Sequence, residues 1–198
     1  MKLFHMPNTR SARVLWCATE VGADLDLVPI DLRRGEHKTP EFLAMHPLGK
    51  VPAAQVHGVT LFESGALCQV LAEGSDNGFL PTDPAQRAMA YTLSYFAASE
   101  LDRKTIGAFL QVLFRKEEDR DAALIADTEA LWKDTVTPWL SGVLGDKTFL
   151  LGEQLTLADI MVGYDCVFAG RLGLLDENLG AYVGRLAQRP GFQAAFAF

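Results

Sequence analysis

A breaker-rich stretch near the middle of the sequence divides the chain into two parts with different hydrophobic patterns. The stretch reads GSDNGFLPTDP and covers residues 74–84. Clusters of glycine, proline, aspartate and asparagine between periodic segments are typical of loops and linkers. Strand and helix periods alternate before this stretch, and only the helix period follows it. We therefore predict an α/β domain over residues 1–75, a linker over 76–84 and an all-helical domain over 85–198.

The first part of the chain has the pattern of a small mixed sheet with helices. The predicted strands are 2–5, 25–31, 52–56 and 59–62, and the predicted helices are 11–21, 40–45 and 64–74. His57-Gly58 is a two-residue hairpin signal, so the last two strands should pair in antiparallel fashion. The element order βαβαββα therefore predicts an α/β unit.

The second part of the chain is helical by pattern throughout. The predicted helices are 85–116, 121–144, 157–171, 177–187 and a tail after Pro190. The segment LTLADI, residues 155–160, predicts where one helix begins: Thr156 is its N-cap and Asp159 is the capping-box partner. We expect removal of this box to cost about 1–2 kcal/mol of stability without a direct effect on chemistry.

Composition excludes several classes of protein. The chain has 18 basic and 25 acidic side chains, which gives a net charge of −7 and argues against nucleic acid as a partner. No apolar run approaches the roughly 18 residues that span a bilayer. The N-terminus, MKLFHMPNTRSAR, lacks the apolar core of a signal peptide. We therefore expect no membrane partner and a cytoplasmic location.

Cysteine and histidine spacing predicts neither a disulfide framework nor a metal site. Cys17, Cys68 and Cys166 are odd in number and far apart, and each lies in an apolar helical pattern. Such cysteines are typical of buried small hydrophobic residues. The four histidines form no pair with metal-ligand spacing. We predict no metal and no resident cofactor.

Four local stretches together carry a resemblance to a known family. They are PNTRSARVLW after the first strand, GEHKTPEFLAMHPLGKVPA before the third, FESGAL at the third helix, and LTLADI in the helical part. In this order the chain resembles the cytosolic glutathione S-transferases, of a bacterial type. The resemblance implies a thioredoxin-like N-terminal domain that binds glutathione as co-substrate, a helical C-terminal domain that lines the electrophile site, and a homodimer.

The resemblance also assigns residues to the middle and one end of glutathione. Pro52 would follow a cis bond, so that the Val51 backbone pairs with the cysteinyl part of the peptide as an added strand would. Ser64 opens the third helix, where free N–H groups and the helix dipole favour the γ-glutamyl carboxylate. Glu63 would accept a hydrogen bond from the γ-glutamyl ammonium.

Basic residues would face the glycine end of glutathione. By the same resemblance, Lys50 and His37 lie near the glycine carboxylate. Lys38 is a substitute for the same charge role.

Activation of the glutathione sulfur requires a hydrogen-bond donor where the first strand meets the first helix. An ordinary thiol has a pKa near 8.5, and the thiolate is the attacking species. Family classes that use serine place it four residues before a helical arginine, and counting back from Arg13 gives Thr9. Ser11 at the helix start and Arg10 as a cationic donor are open alternatives, as is activation by none of the three. The absence of cysteine in this turn argues against disulfide exchange.

The second substrate would bind between the domains, against the first long helix of the helical part. Its aromatic side chains are at a helical spacing that is also typical of a core; they are Tyr91, Tyr95, Phe96, Phe109 and Phe114. Arg103 and Lys104 would favour an anionic substrate. An acid of a partner subunit, Glu100 or Asp102, would join the γ-glutamyl site.

The prediction is therefore a glutathione transferase that stabilises the thiolate and conjugates it to small hydrophobic electrophiles, with glutathione-dependent peroxide reduction as a further activity. The alternative is a non-catalytic binding or interaction protein with the same fold, because fold does not fix function. Lys50, Pro52, Glu63 and Ser64 together favour glutathione binding.

Overall fold

The fold was obtained as a computed structural model, and it describes residues 1–196. Its contacts divide the chain into two compact units: Met1–Leu80 together with the chain from Gln188, and Pro81–Ala187. The first unit contains all the named strands of the described residues. The predicted linker boundaries stay a prediction.

A four-stranded mixed sheet forms the centre of the first unit. The strands are β1 (Lys2–His5), β2 (Asp26–Pro29), β3 (Ala53–Val56) and β4 (Val59–Phe62). Their order is β2-β1-β3-β4. β1 runs parallel to β2 and antiparallel to β3, and β3 and β4 form the hairpin predicted at His57-Gly58. The predicted βαβαββα order is confirmed.

Helix bounds follow the predicted pattern closely. The helices are α1 (Ser11–Val21), α2 (Pro40–Met45), α3 (Ser64–Glu73), α4 (Pro84–Phe96), α5 (Asp102–Phe114), α6 (Ala122–Ala130), α7 (Thr137–Leu144), α8 (Leu157–Arg171), α9 (Glu177–Ala187) and α10 (Pro190–Ala195). A π-helical turn, Ala97–Leu101, joins α4 to α5, and another, Leu131–Val136, joins α6 to α7. Each of the two long predicted helices is therefore continuous but locally widened.

Helix α10 lies in the first unit, so the prediction that the helical domain covers residues 85–198 is wrong for this segment. Phe192 meets the Trp16 ring of α1 edge to face, with ring centroids 5.1 Å apart. Arg189 forms an ion pair with Glu20, at 2.5 Å between Nη2 and Oε2. These contacts cover Trp16, which is fully buried, and they explain why α10 packs in the first unit.

Helix α8 is the buried helix of the second unit, and the predicted capping box is present at its start. The Asp159 carboxylate accepts hydrogen bonds from the Thr156 backbone N–H and hydroxyl, each at 2.8 Å. It also accepts from the Leu150 N–H and the Tyr182 hydroxyl, each at 2.9 Å. Burial raises the pKa of Asp159, while these donors act in the opposite direction. Asp159 therefore joins three segments, a wider role than a cap alone.

Candidate active site

Strand register brings the predicted site segments to one edge of the sheet. Phe4 pairs with Ala53, and Ala53 pairs with Phe62. Because β3 runs against β1 and β4, the segment after β1, the segment before β3 and the segment after β4 all leave the sheet at the same end. Phe4 also pairs with Val28 of the parallel strand β2, so the loop after β2 leaves there too. We call this end the site edge.

The segment before β3 contains a cis peptide bond between Val51 and Pro52. Both residues are buried, whereas Lys50 is exposed. The β3 ladder begins only at Ala53, so the Val51 peptide groups lie outside the sheet pairing. The expectation of a cis bond at this position is met.

The segment after β4 combines an exposed acid with a helix start. Glu63 is exposed and has φ 72 and ψ 111, in a region that non-glycine residues rarely adopt. Ser64 is the first residue of α3 and is buried. Its Oγ accepts a hydrogen bond of 3.5 Å from Arg13 Nη1, and Arg13 itself is buried on α1. A fixed positive charge thus adds to the dipole of the α3 N-terminus.

The residues that were expected at the glycine end of glutathione lie in two loops, and hydrogen bonds join these loops to each other. His37 and Lys38 belong to a 3-10 turn, Glu36–Lys38. The Lys38 ammonium donates to the carbonyls of Leu48 and Gly49, at 3.0 and 3.4 Å. Gly49 has φ +54, and a Cβ there would clash with the His37 carbonyl oxygen, so only glycine fits. Lys38 is thus a loop anchor, while the Nδ1 of His37 is buried without a hydrogen-bond partner in the described residues.

The turn between β1 and α1 holds a compact set of polar side chains. The Thr9 hydroxyl donates to the Met6 carbonyl at 2.7 Å and lies 2.8 Å from Ser11 Oγ. Ser11 Oγ lies 2.8 Å from His5 Nδ1. Ser11 has an exposed fraction of 0%, whereas Thr9 is partly exposed. Burial lowers the pKa of His5, although a hydrogen bond with Ser11 acts in the opposite direction.

Helix α1 begins without a side-chain cap. Arg10 occupies the N-cap position in a helical conformation, and its side chain makes no capping bond. Ser11 N–H is instead 3.3 Å from Thr9 Oγ1. Neither Thr9 nor Ser11 therefore occupies the N-cap position of α1.

Two residues of this site were given no role by the sequence analysis. His5 is the last residue of β1 and is buried. Arg13 served only as the reference for counting to Thr9. A charged side chain on the apolar face of α1 was the available signal for Arg13, since such a residue must find a partner when buried.

The candidate residues of the second unit differ in exposure. Phe114 and Tyr95 are 71% and 60% exposed. Phe96 packs edge to face on Trp139, and Phe109 packs on Phe168. Phe96 and Phe109 are therefore part of the packing of the helical unit, as their helical spacing allowed.

The two acids that were expected near the site of a partner subunit also differ in exposure. Glu100 is exposed, whereas Asp102 is only 5% exposed. Arg103 and Lys104 beside them are exposed.

Residues 1–196 contain neither a metal-binding cluster nor a membrane-spanning helix. No group of three or more His, Cys, Asp or Glu side chains in that range is arranged to hold a metal ion. In the same range none of the helices combines the length and hydropathy needed to cross a membrane.

Known proteins resemble this chain in sequence and in fold. The family model described as glutathione S-transferase, N-terminal domain, matches residues 1–73. Glutathione S-transferase F13 of Arabidopsis thaliana is 34% identical over 91% of this chain and 87% of its own length. A glutathione S-transferase of Hyoscyamus muticus is 31% identical over 81% of this chain and 78% of its own length.

The fold of this chain is also similar to a solved structure of the same family. The theta class glutathione S-transferase from the citrus canker pathogen Xanthomonas axonopodis pv. citri, with glutathione bound, has a TM-score of 0.85 and 25% identity. The match covers 100% of this chain and 97% of that one. The predicted fold class, a thioredoxin-like α/β part and a helical part, is confirmed. The chain belongs to the glutathione S-transferase family, and it is a glutathione transferase.

Proposed function

We propose that this transferase holds glutathione lengthwise along the site edge and activates its thiol with the Thr9 hydroxyl. The observation that carries the proposal is the register Phe4–Ala53–Phe62, which brings three chain segments to one end of the sheet. A tripeptide has three parts to bind, and these segments offer a different chemistry to each.

The γ-glutamyl group lies at the start of α3 in this proposal. Its carboxylate is held by the free N–H groups of the first turn and by the Ser64 hydroxyl. The buried Arg13 guanidinium, which donates to Ser64 Oγ, adds positive charge beneath it. The exposed Glu63 carboxylate accepts from the γ-glutamyl ammonium.

The rest of the tripeptide extends along the segment before β3. The Val51 peptide groups, outside the sheet ladder, pair with the cysteinyl backbone. The exposed Lys50 and the partly exposed His37 attract the glycine carboxylate. Lys38 supports this end indirectly, because its ammonium holds the carbonyls of Leu48 and Gly49.

Thr9 is favoured over Ser11 as the direct donor to sulfur because of exposure. Ser11 is fully buried, so its hydroxyl cannot reach a bound thiolate directly, whereas Thr9 is partly exposed. A hydrogen bond to a charged group contributes about 1.5–3 kcal/mol, which corresponds to a fall of about one to two units in the thiol pKa. Arg10, also partly exposed, is the remaining candidate.

The second substrate in this proposal is a small hydrophobic electrophile. The thiolate attacks its electrophilic carbon and forms a carbon–sulfur bond, while a leaving group departs or, in an addition, the neighbouring atom takes a proton from water. In peroxide reduction the thiolate attacks one peroxide oxygen, the O–O bond breaks and an alcohol is released. The glutathione sulfenic acid then reacts with a second glutathione to give the disulfide and water. We further propose that the enzyme works as a cytoplasmic homodimer, a location supported by three cysteines that are free and buried.

The test compares Thr9→Val, Thr9→Ser and Arg10→Gln. We expect Thr9→Val to raise the pKa of the bound glutathione thiol by about one to two units, read from ultraviolet thiolate absorbance, and to lower kcat/KM about 10- to 100-fold at neutral pH. Thr9→Ser keeps the hydroxyl and should behave like the unaltered enzyme. A shift in Arg10→Gln without one in Thr9→Val would assign the role to Arg10 instead.

A further inference from the structure

A line of three polar side chains runs from the partly exposed Thr9 into the interior behind the site edge. Thr9 Oγ1 lies 2.8 Å from Ser11 Oγ, and Ser11 Oγ lies 2.8 Å from His5 Nδ1. Ser11 and His5 are both buried. Because both are buried, the proposed function assigns neither of them a direct contact with glutathione.

Counting protons and lone pairs limits the directions that the hydrogen bonds in this line can take. A hydroxyl group has one proton to donate and two lone pairs that accept. Ser11 Oγ accepts from the Met6 backbone N–H at 3.2 Å. If His5 Nδ1 carries a proton, it fills the second lone pair of Ser11, and the Ser11 proton must be donated onward. The acceptors within reach are Thr9 Oγ1 and the Met6 carbonyl oxygen, at 2.8 and 3.0 Å.

The same count at Thr9 shows which groups can accept the proton of its hydroxyl. Thr9 Oγ1 is within 3.3 Å of the Ser11 N–H and within 2.8 Å of the Ser11 hydroxyl. Once it accepts from both, its own proton has two destinations: the Met6 carbonyl oxygen, at 2.7 Å, or a group that arrives from the exposed side. A bound thiolate is the stronger acceptor because it is charged.

We propose that His5 and Ser11 are positioning residues that direct the Thr9 hydroxyl proton toward the glutathione sulfur. The order of donation is His5 Nδ1 to Ser11 Oγ, Ser11 Oγ to Thr9 Oγ1, and Thr9 Oγ1 to sulfur. This inference rests on the proposed role of Thr9 and names the residues that prepare it. No proton leaves the line, since the three groups only orient one another.

Burial of His5 is consistent with this order. Burial lowers the pKa of His5, so the ring is neutral near neutral pH and carries a single proton. The line requires that proton on Nδ1. Oriented hydrogen bonds in a low-dielectric interior strengthen one another, so a fixed donor behind Thr9 makes its proton more effective toward sulfur.

The test uses His5→Phe, which removes the first donor, and Ser11→Ala, which interrupts the line. In each variant we expect the pKa of the bound glutathione thiol to rise by about one unit, a roughly tenfold loss of thiolate at neutral pH. His5→Asn keeps an N–H donor close to the position of Nδ1 and should recover most of the shift. His5→Phe combined with Ser11→Ala should equal the single variants, because both break one line.

Two controls separate orientation from structural damage. S-methylglutathione has the tripeptide but no ionisable thiol, so its affinity should be unchanged in all these variants. His57→Asn replaces a histidine at the β3–β4 turn, the other end of the sheet, where φ is 48, and should leave the thiol pKa unaltered. Nitrogen NMR of His5 should show the proton on Nδ1.

Three outcomes would overturn the inference. An unchanged thiol pKa in both His5→Phe and Ser11→Ala, with a raised one in Thr9→Val, would refute the line but keep the role of Thr9. No shift in Thr9→Val either would refute that role as well. A loss of S-methylglutathione affinity parallel to the pKa shift would show that the variants damage the site and do not act through orientation.

Discussion

At the scale of single residues, burial decides what each polar group of the site edge can do. Thr9 and Ser11 carry the same chemical group two positions apart, yet only Thr9 has an exposed surface. His46 is likewise buried and lies against the ring of Phe62, with ring centroids 4.7 Å apart. A buried histidine resists protonation because its charged form loses hydration. That resistance makes stability depend on pH.

We expect the free energy of unfolding to fall as pH is lowered from about 8 to about 5 through the histidine range. Burial lowers the pKa of both His5 and His46 below the ordinary value of 6.5. The unfolded chain therefore binds more protons than the folded one in this range, and linkage requires stability to rise with pH there. Urea unfolding at a series of pH values measures the slope.

The slope should be shallower in His5→Asn and in His46→Asn, since each removes one such group. His57→Asn is the matched control, because His57 is exposed in a turn. An unchanged slope in both buried-site variants would contradict the linkage argument.

At the scale of elements, helix α8 depends on one carboxylate. Asp159→Ala leaves the N–H groups of Leu150 and Thr156 and two hydroxyl groups without their acceptor. An unsatisfied buried donor costs about 1–3 kcal/mol, so we expect a loss of roughly 3–5 kcal/mol in chemical denaturation. Tyr182→Phe removes one of the four donors and should cost about 1 kcal/mol. If Asp159→Ala lost no more free energy of unfolding than Tyr182→Phe, Asp159 would act only as the capping-box residue of α8.

A second prediction concerns the seating of α10 on α1. A Cβ at Gly191 would lie 2.8 Å from Trp16 Cδ1 and from the Trp16 carbonyl oxygen. Gly191→Ala should therefore destabilise the protein by about 1–3 kcal/mol, the usual cost of overpacking. Gly184→Ala is the matched control in α9, where a Cβ would meet nothing within 4 Å, and should be neutral or stabilising by up to about 1 kcal/mol. If the two variants had equal stability to heat and to urea, α10 would be able to shift away from Trp16 without a loss of free energy.

These elements also show what sequence patterns can and cannot predict. The bounds of α1, α2, α8 and α9 follow from local signals, such as period, caps and breakers, and the structure confirms them. The predicted strand 25–31 is shorter, Asp26–Pro29, because the Asp31 carboxylate accepts from the N–H groups of Arg33 and Arg34 and turns the chain.

Contacts between segments distant in sequence had no such local signal. The unit to which α10 belongs depends on how its aromatic residues meet α1. The polar line behind Thr9 is local, since His5 and Ser11 are six residues apart, but it depends on a turn whose conformation the residue pattern did not predict. Glu63 and Ser64 could be assigned from sequence only because the family resemblance supplied the ligand, and the buried Arg13 beneath them shows the packing that the resemblance did not supply.

At the scale of the whole molecule, the proposed homodimer gives Glu100 a role that Asp102 cannot fill. Both acids were expected near the γ-glutamyl site of a partner subunit. Asp102 is buried within its own unit, whereas Glu100 is exposed on the π-helical turn Ala97–Leu101. A carboxylate that acts on another subunit must be accessible, so Glu100 is the one expected to assist Glu63 in holding the γ-glutamyl ammonium.

Mixed dimers can test whether Glu100 acts across subunits. We expect Glu100→Gln to raise the KM for glutathione several-fold, by the loss of a surface charge contact of about 1 kcal/mol. When subunits carrying Glu100→Gln are exchanged with subunits carrying Thr9→Val, one site of each mixed dimer would combine Thr9 with the partner's intact acid. That site should have the KM of the unaltered enzyme, and the other should carry both defects. If Glu100 acts only within its own subunit, every site keeps one defect, and no site with the unaltered KM and turnover would form on mixing.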